Sequence, residues 1–254
     1  MSDRTTSNFQ EFSAQDYLEE YYASIGEENA LLLKFMHETY SILPPSHSLL
    51  EVGGGPTLYQ LISASNRVDH ITFSEYLEVN RNAVQAWINN APGAFNWDPY
   101  IEFVLKLENS PAGVKDVEAR KAQLKSKIKE VTSYNVFDEP PLTDGLKTYD
   151  IIASNFCLEG ITHSFEQFTS FFRRMNGYLK PGGWMVLCMV KNAREYRVKD
   201  LYFPACAVDE QIMENVLKDN GMDSIHIETI PTVDPEQGHH GMLMIRGQKE
   251  GGIR

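Results

Sequence analysis

The residues of this chain with chemistry to offer are a run of glycines, two spaced carboxylates and a cluster of tyrosines. Leu49-Leu50-Glu51-Val52 enters Gly53-Gly54-Gly55, and Pro56-Thr57-Leu58-Tyr59-Gln60 follows. Glycine admits backbone angles barred to other residues and lets a ligand approach the main chain closely. Pro56 predicts a helix start, where the missing N–H of proline costs nothing. A helix start also leaves N–H groups pointing above such a loop. Together these features describe a strand, a tight turn and a helix around a nucleotide-like ligand. The dinucleotide fingerprint needs a third glycine where Leu58 stands, which disfavours an NAD-dependent dehydrogenase. The phosphate loop G-x-x-x-x-G-K-[ST] is absent as well. A glycine loop without phosphate-gripping features fits an adenosyl ligand that carries no phosphate, such as S-adenosylmethionine, or else a plain turn between core elements.

His70-Ile71-Thr72-Phe73 reads as a second short strand, ending in Ser74-Glu75. Glu75 follows Gly55 by 20 residues, where a doubly wound fold places the acid that receives ribose hydroxyls. A carboxylate there accepts two hydroxyl hydrogen bonds and repels a 2′-phosphate. A plain turn and a solvated glutamate are the alternative. The joint pattern of strand, glycine loop, helix, strand and acid favours nucleoside binding.

These groups need a scaffold, and the rest of the chain supplies one. Phe12 to Tyr40 carries helical patterns broken near Gly26, with Tyr17, Leu18, Tyr21 and Tyr22 before the break and Ala30, Leu31, Phe35 and Met36 after it. Pro44-Pro45 closes this segment. Residues 1–45 are expected to form an N-terminal helical lid, and 46–254 the ligand-binding domain. Helices are predicted over Asn80 to Asn90, from Asp98 as N-cap, over Lys115 to Lys129, Phe165 to Leu179 and Asp209 to Asn220. Strands are predicted over Val131 to Val136, Tyr149 to Asn155, Trp184 to Val190, Ser224 to Ile230 and Met242 to Ile245. With the first two, that makes seven strands alternating with helices and closing on a hairpin. The expected fold is α/β, a mostly parallel sheet with helices on both faces.

Composition sets bounds. The chain has 254 residues, 42% apolar and 23% charged, enough for a substantial core. A formal net charge of −12 argues against nucleic acid or an anionic membrane as partner. No apolar run approaches the ~20 residues of a membrane span, and Met1-Ser2-Asp3-Arg4 opens no signal peptide, so a cytoplasmic location is expected. Cys157, Cys188 and Cys206 show no metal spacing and read as buried thiols. His239-His240 lacks a carboxylate or cysteine to complete a metal site.

Several stretches resemble the class I methyltransferases, and within them the nicotinamide, phenylethanolamine and indolethylamine N-methyltransferase family. The resemblance spans roughly Tyr17 to Arg246. It rests on Asp16-Tyr17-Leu18-Glu19-Glu20-Tyr21-Tyr22, Gly53-x-Gly55-Pro56-Thr57-Leu58-Tyr59-Gln60, Pro92-Gly93-Ala94-Phe95-Asn96-Trp97, Phe156-Cys157-Leu158-Glu159 and Leu179-Lys180-Pro181-Gly182-Gly183. It implies a Rossmann-like methyltransferase domain with acceptor-site insertions and S-adenosylmethionine as cofactor. On this resemblance Tyr17 and Tyr22 close over the methionine part, and Gly53, Gly55, Thr57 and Tyr59 are further cofactor contacts. Glu75 and Asn80 hold the ribose, Asn135 and Val136 meet the adenine, and Asn155 lies on the methionine side. Phe156 packs on the acceptor ring and Glu159 lies near its amine, with Tyr17 and Tyr196 as further acceptor contacts. Glu159 could anchor an ammonium or take its proton; a plain helix-start glutamate is the alternative.

Other acids that such relatives place around the amine are replaced here, at Met189, Ala193, Gln237 and Gly238. The small hydroxyls that would hold a nicotinamide amide are missing too, while Glu236, His239 and His240 could supply different polar contacts. The expected activity is methyl transfer to the nitrogen of a small amine with an aromatic ring. C-, O- or S-methylation of another small molecule, and a catalytically silent cofactor-binding protein, stay open.

Overall fold

The computed structural model describes residues 8–142, 147–232 and 238–251. Among them a seven-stranded sheet runs in the order β3-β2-β1-β4-β5-β9-β8. Its strands are β1 (Ser46–Val52), β2 (Val68–Ser74), β3 (Ile128–Thr132), β4 (Tyr149–Asn155), β5 (Leu179–Val190), β8 (Met222–Ile230) and β9 (Met242–Lys249). The pairs from β3 through β5 are parallel, and β9 is antiparallel to both β5 and β8. The predicted closing hairpin is therefore present. The chain reverses its direction of travel across the sheet between β1 and β4, and ligands of such sheets bind outside the carboxyl ends of strands at that point.

Side chains alternate between two cores, as the pleat requires. Leu49, Ile71, Ile151 and Val186 face one core, and Leu50, Ile152, Met185 and Leu187 face the other. The first core is covered by helix α2 (Glu27–Ile42), through Leu32, Leu33, Phe35 and Met36, and by α5 (Asp98–Leu107) and α6 (Val114–Lys127). The second is covered by α7 (Phe165–Asn176) and α8 (Glu210–Asp219), through Phe168, Phe172, Met213 and Leu217. The remaining helices are α1 (Ala14–Tyr22), α3 (Tyr59–Ile62) and α4 (Glu78–Ile88).

The structure corrects several sequence expectations. Helix α6 ends at Lys127 and β3 begins at Ile128, so Lys129 is strand and the region from Ser133 to Val136 is not. Leu179 belongs to β5, which starts before the Lys180-Pro181-Gly182-Gly183 stretch rather than after it. Asp98 is the first residue of α5, with Trp97 at the cap. Within the segment expected to form a lid, α2 packs Leu32, Leu33, Phe35 and Met36 into the first core, and Leu18 and Tyr22 of α1 join that same core. A small hairpin, β6 (Glu195–Val198) with β7 (Leu201–Pro204), was not anticipated.

Candidate active site

The ends of β1 and β2 are stitched together by the glycine loop. The N–H groups of Gly53 and Gly54 both donate to the Ser74 carbonyl, at 2.9 and 3.2 Å, and the Ser74 hydroxyl donates to the Glu51 carbonyl at 2.6 Å. Gly53 and Gly55 take φ of +65° and +59°, in the left-handed region that favours glycine. Gly54 is required for a different reason: a Cβ there would lie 2.4 Å from the Phe73 ring. The expected helix start at Pro56 is wrong. Thr57 N–H turns back onto the Gly54 carbonyl at 3.3 Å, and its hydroxyl lies 2.8 Å from that carbonyl and 3.1 Å from Gln60 Oε1. The helix begins only at Tyr59, after Leu58 has turned fully into the core. Thr57 thus shapes the loop with its hydroxyl.

Three buried carboxyls surround this loop. Glu75 accepts from Gly55 N–H at 3.0 Å, from Leu77 N–H at 2.8 Å and from the Asn80 side-chain amide at 3.3 Å. Burial nonetheless raises its pKa against those hydrogen bonds. The Asn80 oxygen has no partner among the described residues. Glu51, which the sequence reading passed over, is fully buried at the end of β1. Its Oε1 accepts from Asn155 Nδ2 and Gln60 Nε2, each at 3.2 Å, while Oε2 and the Asn155 oxygen have no partner among the described residues. Burial pushes Glu51 up to about 7. An acid inside an otherwise apolar strand, two residues before the first glycine, was the signal available for it.

Glu159 lies in a single 3₁₀ turn, Leu158–Ile161, directly after β4. Its Oε1 accepts from Val190 N–H at 3.0 Å, and its Oε2 is buried with no partner among the described residues. Burial pushes it, too, up to about 7. The turn is held by Phe156 at φ +53°, an uncommon conformation for an aromatic residue, with its N–H on the Cys188 carbonyl at 2.7 Å. Tyr17 senses the Glu159 charge, and Tyr196 lies over Gly160, where a Cβ would be 3.4 Å from its ring.

The tyrosines pack as one cluster. Tyr22 stacks on Tyr59 with ring centroids 5.1 Å apart, and Tyr17 lies 5.7 Å from Tyr22. Burial raises the phenols of Tyr17, Tyr22, Tyr59 and Tyr196, so they remain neutral hydrogen-bonding groups. Cys157 sits against Gly53, half-buried where the sequence suggested a buried thiol, and desolvation together with the charges of Glu75, Glu159 and Glu51 raises its thiol pKa. Asn135 and Val136 fall in the turn after β3, not in the strand. Asn135 accepts from Phe137 N–H at 3.1 Å through its side-chain oxygen, and the Val136 carbonyl accepts from Arg174 at 2.7 Å. Glu236 and Gln237 lie outside the described residues. Among the described residues no three His, Cys, Asp or Glu are grouped to hold a metal.

The residues fit an adenosyl cofactor with a cationic centre. The loop brings glycine backbone together with buried oxygens of Glu51, Asn80 and Asn155 that have no donor among the described residues, and a ligand with hydroxyls and positive charge would satisfy them. The fold is similar to that of a DhpI–SAH complex, which superimposes with a TM-score of 0.61 at 13% identity, covering 99% of this chain and 97% of that one. Among sequences, nicotinamide N-methyltransferase from Sus scrofa is 29% identical over 86% of this chain and 85% of its own length. Phenylethanolamine N-methyltransferase from Macaca mulatta is 27% identical over 88% and 82%. Residues 3–250 match the model of the NNMT/PNMT/TEMT family, and the chain belongs to that family.

Proposed function

We propose that the chain transfers the methyl group of S-adenosylmethionine to the nitrogen of a small amine bearing an aromatic ring. Family membership supports the reaction type and cofactor. The observation that carries the acceptor chemistry is Glu159: a buried carboxyl with one oxygen unpartnered among the described residues, one turn past the strand end that borders the glycine loop.

When bound, S-adenosylmethionine supplies a methyl group already activated on a sulfonium. Glu75 and Asn80 would hold the ribose hydroxyls, Asn135 and Val136 the adenine edge, and Asn155 with Glu51 the methionine end. Gly53 and Gly55 leave room for close approach, Thr57 fixes the loop, and Tyr17, Tyr22 and Tyr59 exclude water above it. The nucleophile must be the neutral amine. Glu159, poised near 7, can anchor an ammonium and take its proton at Oε2 close to neutral pH. Phe156, Tyr17 and Tyr196 would orient the ring, so that the chain contributes mainly alignment and desolvation.

Met189 and Ala193 are buried and offer no hydrogen bond, which supports a plain amine over an amide such as nicotinamide. We also propose a cytoplasmic protein with a small-molecule acceptor and no nucleic-acid or membrane partner, in keeping with its net charge of −12. No helix among the described residues is long and apolar enough to cross a membrane. The test is a matched pair of aromatic acceptors differing only in amine against hydroxyl. Methylation of the amine alone supports the reading; equal methylation of the alcohol moves the chain to O-methyl transfer.

A further inference from the structure

The cover over the site has an internal construction that the acceptor chemistry does not explain. Helix α1 and the β6–β7 hairpin are more than 170 residues apart in sequence, yet two polar contacts join them directly, and a third ties the hairpin to the 3₁₀ turn Asn8–Glu11 just before α1. Glu20 Oε2 accepts from the Lys199 N–H at 2.7 Å. The Tyr21 hydroxyl donates to the Arg197 carbonyl, and Asn8 Nδ2 donates to the Tyr202 carbonyl at 2.7 Å. Beneath them Phe12, Val198 and Phe203 form a third apolar cluster, separate from the two cores of the sheet, with Phe9, Tyr17, Tyr21, Tyr196 and Leu201 against it and Leu77 at its margin. Phe203 is the pivot, 5.0 Å from Phe9, 5.6 Å from Phe12 and 5.0 Å from Tyr196 between ring centroids.

We propose that Glu20 is a positioning residue: its carboxylate latches the hairpin to α1, so that Tyr17 and Tyr196 are held over Glu159 as one cover. Lys199 opens the two-residue turn between β6 and β7 and takes φ of +51°, and its N–H lies outside the hairpin ladder. Glu20 is the group that fixes it. An isolated two-stranded hairpin is marginal in water, so the ordering of this one depends on what it is tied to. Tyr17 comes from the helix and Tyr196 from the hairpin, and neither element alone supplies both aromatic walls. With the latch made, ordering one wall orders the other, and acceptor binding bears that entropic cost once. Tyr21 adds a second tie to the hairpin backbone, on the residue next to Glu20. Glu20 touches no proposed ligand, so its effect belongs in acceptor affinity rather than in the methyl-transfer step.

The test compares Glu20→Ala with Glu20→Gln, whose side-chain oxygen still accepts from Lys199 N–H. A charge-assisted but solvent-exposed hydrogen bond predicts a rise of about fivefold in acceptor KM for Glu20→Ala, with kcat within about twofold and Tm unchanged. Glu20→Gln should restore KM to within about twofold of wild type. Hydrogen exchange supplies a second readout: peptides covering 8–22 and 195–204 should gain exchange together in Glu20→Ala and not in Glu20→Gln. An unchanged KM, an unchanged hairpin exchange, or a Gln variant as impaired as Ala would overturn the proposal. The kinetic arm rests on the methyl-transfer reading. If wild type methylates no acceptor, that reading fails, while the exchange arm still decides the latch.

Discussion

Glu51 and Glu159 share one physical state, a carboxyl pushed up to about 7 by burial, and it leads to opposite requirements for folding and for function. Their folded pKa values lie above the unfolded ones, so each contributes stability that is full below the unfolded pKa, near the ordinary carboxylate value, and is lost as pH rises through about 7. Glu51→Gln should remove its share of that dependence. From about pH 5 to about pH 8 the wild-type urea midpoint should fall relative to that of the variant. For a base at Glu159 the sign reverses. The acceptor kcat/KM should climb as pH passes through about 7, and Glu159→Gln should lose that limb of the profile. At this scale the sequence was informative about types and silent about partners. Spacing and resemblance singled out Glu75 and Glu159, and both are buried carboxyls in the structure. Neither singled out Glu51, because a strand reading treats it as one residue of an apolar run, and only the structure shows its oxygen left without a donor among the described residues.

Among the elements, the glycine loop is the most constrained. The sequence identified Gly53 and Gly55 through their backbone freedom, but Gly54 is fixed by packing, which spacing cannot reveal. Gly54→Ala forces a Cβ to 2.4 Å from Phe73, and overpacking of this kind costs about 1–3 kcal/mol. A fall in Tm of several degrees with weakened S-adenosylhomocysteine binding is the expected outcome, checked by thermal melts with and without that ligand. The helix boundaries that failed did so where strand pairing or a local loop hydrogen bond overrode the pattern. Ile128 reads as the tail of a charged helix, yet it pairs with Ile71 of β2. Pro56 reads as a helix start, yet the loop closes back on Gly54 before any helix begins. The β6–β7 hairpin escaped notice because its turn, Lys199-Asp200, lacks the glycine or asparagine that announces such turns.

Over the whole molecule, order is set by the parallel sheet. Seven strands in the right sequence order were legible because apolar runs and turn residues alternate cleanly along the chain. The packing of the first two helices was less legible, since α1 and α2 carry aromatic and aliphatic residues that suit either a lid or a core, and Leu18, Tyr22, Leu32 and Phe35 lie in the first core. The net charge of −12 and the buried acids act in the same direction on ligands. Cationic S-adenosylmethionine should bind more tightly than neutral-sulfur S-adenosylhomocysteine above pH 7. That preference should shrink as Glu51 and Glu159 take up protons below about 7, as titration calorimetry at two pH values would show. The central claim is methyl transfer to an amine served by Glu159. It is tested most directly by S-adenosylhomocysteine release across arylalkylamines and their alcohol and thiol counterparts, for wild type and Glu159→Gln. The account predicts turnover confined to amines and a loss of about 100-fold in the variant; a Glu159→Gln enzyme as fast as wild type, or equal turnover of the alcohols, would contradict it.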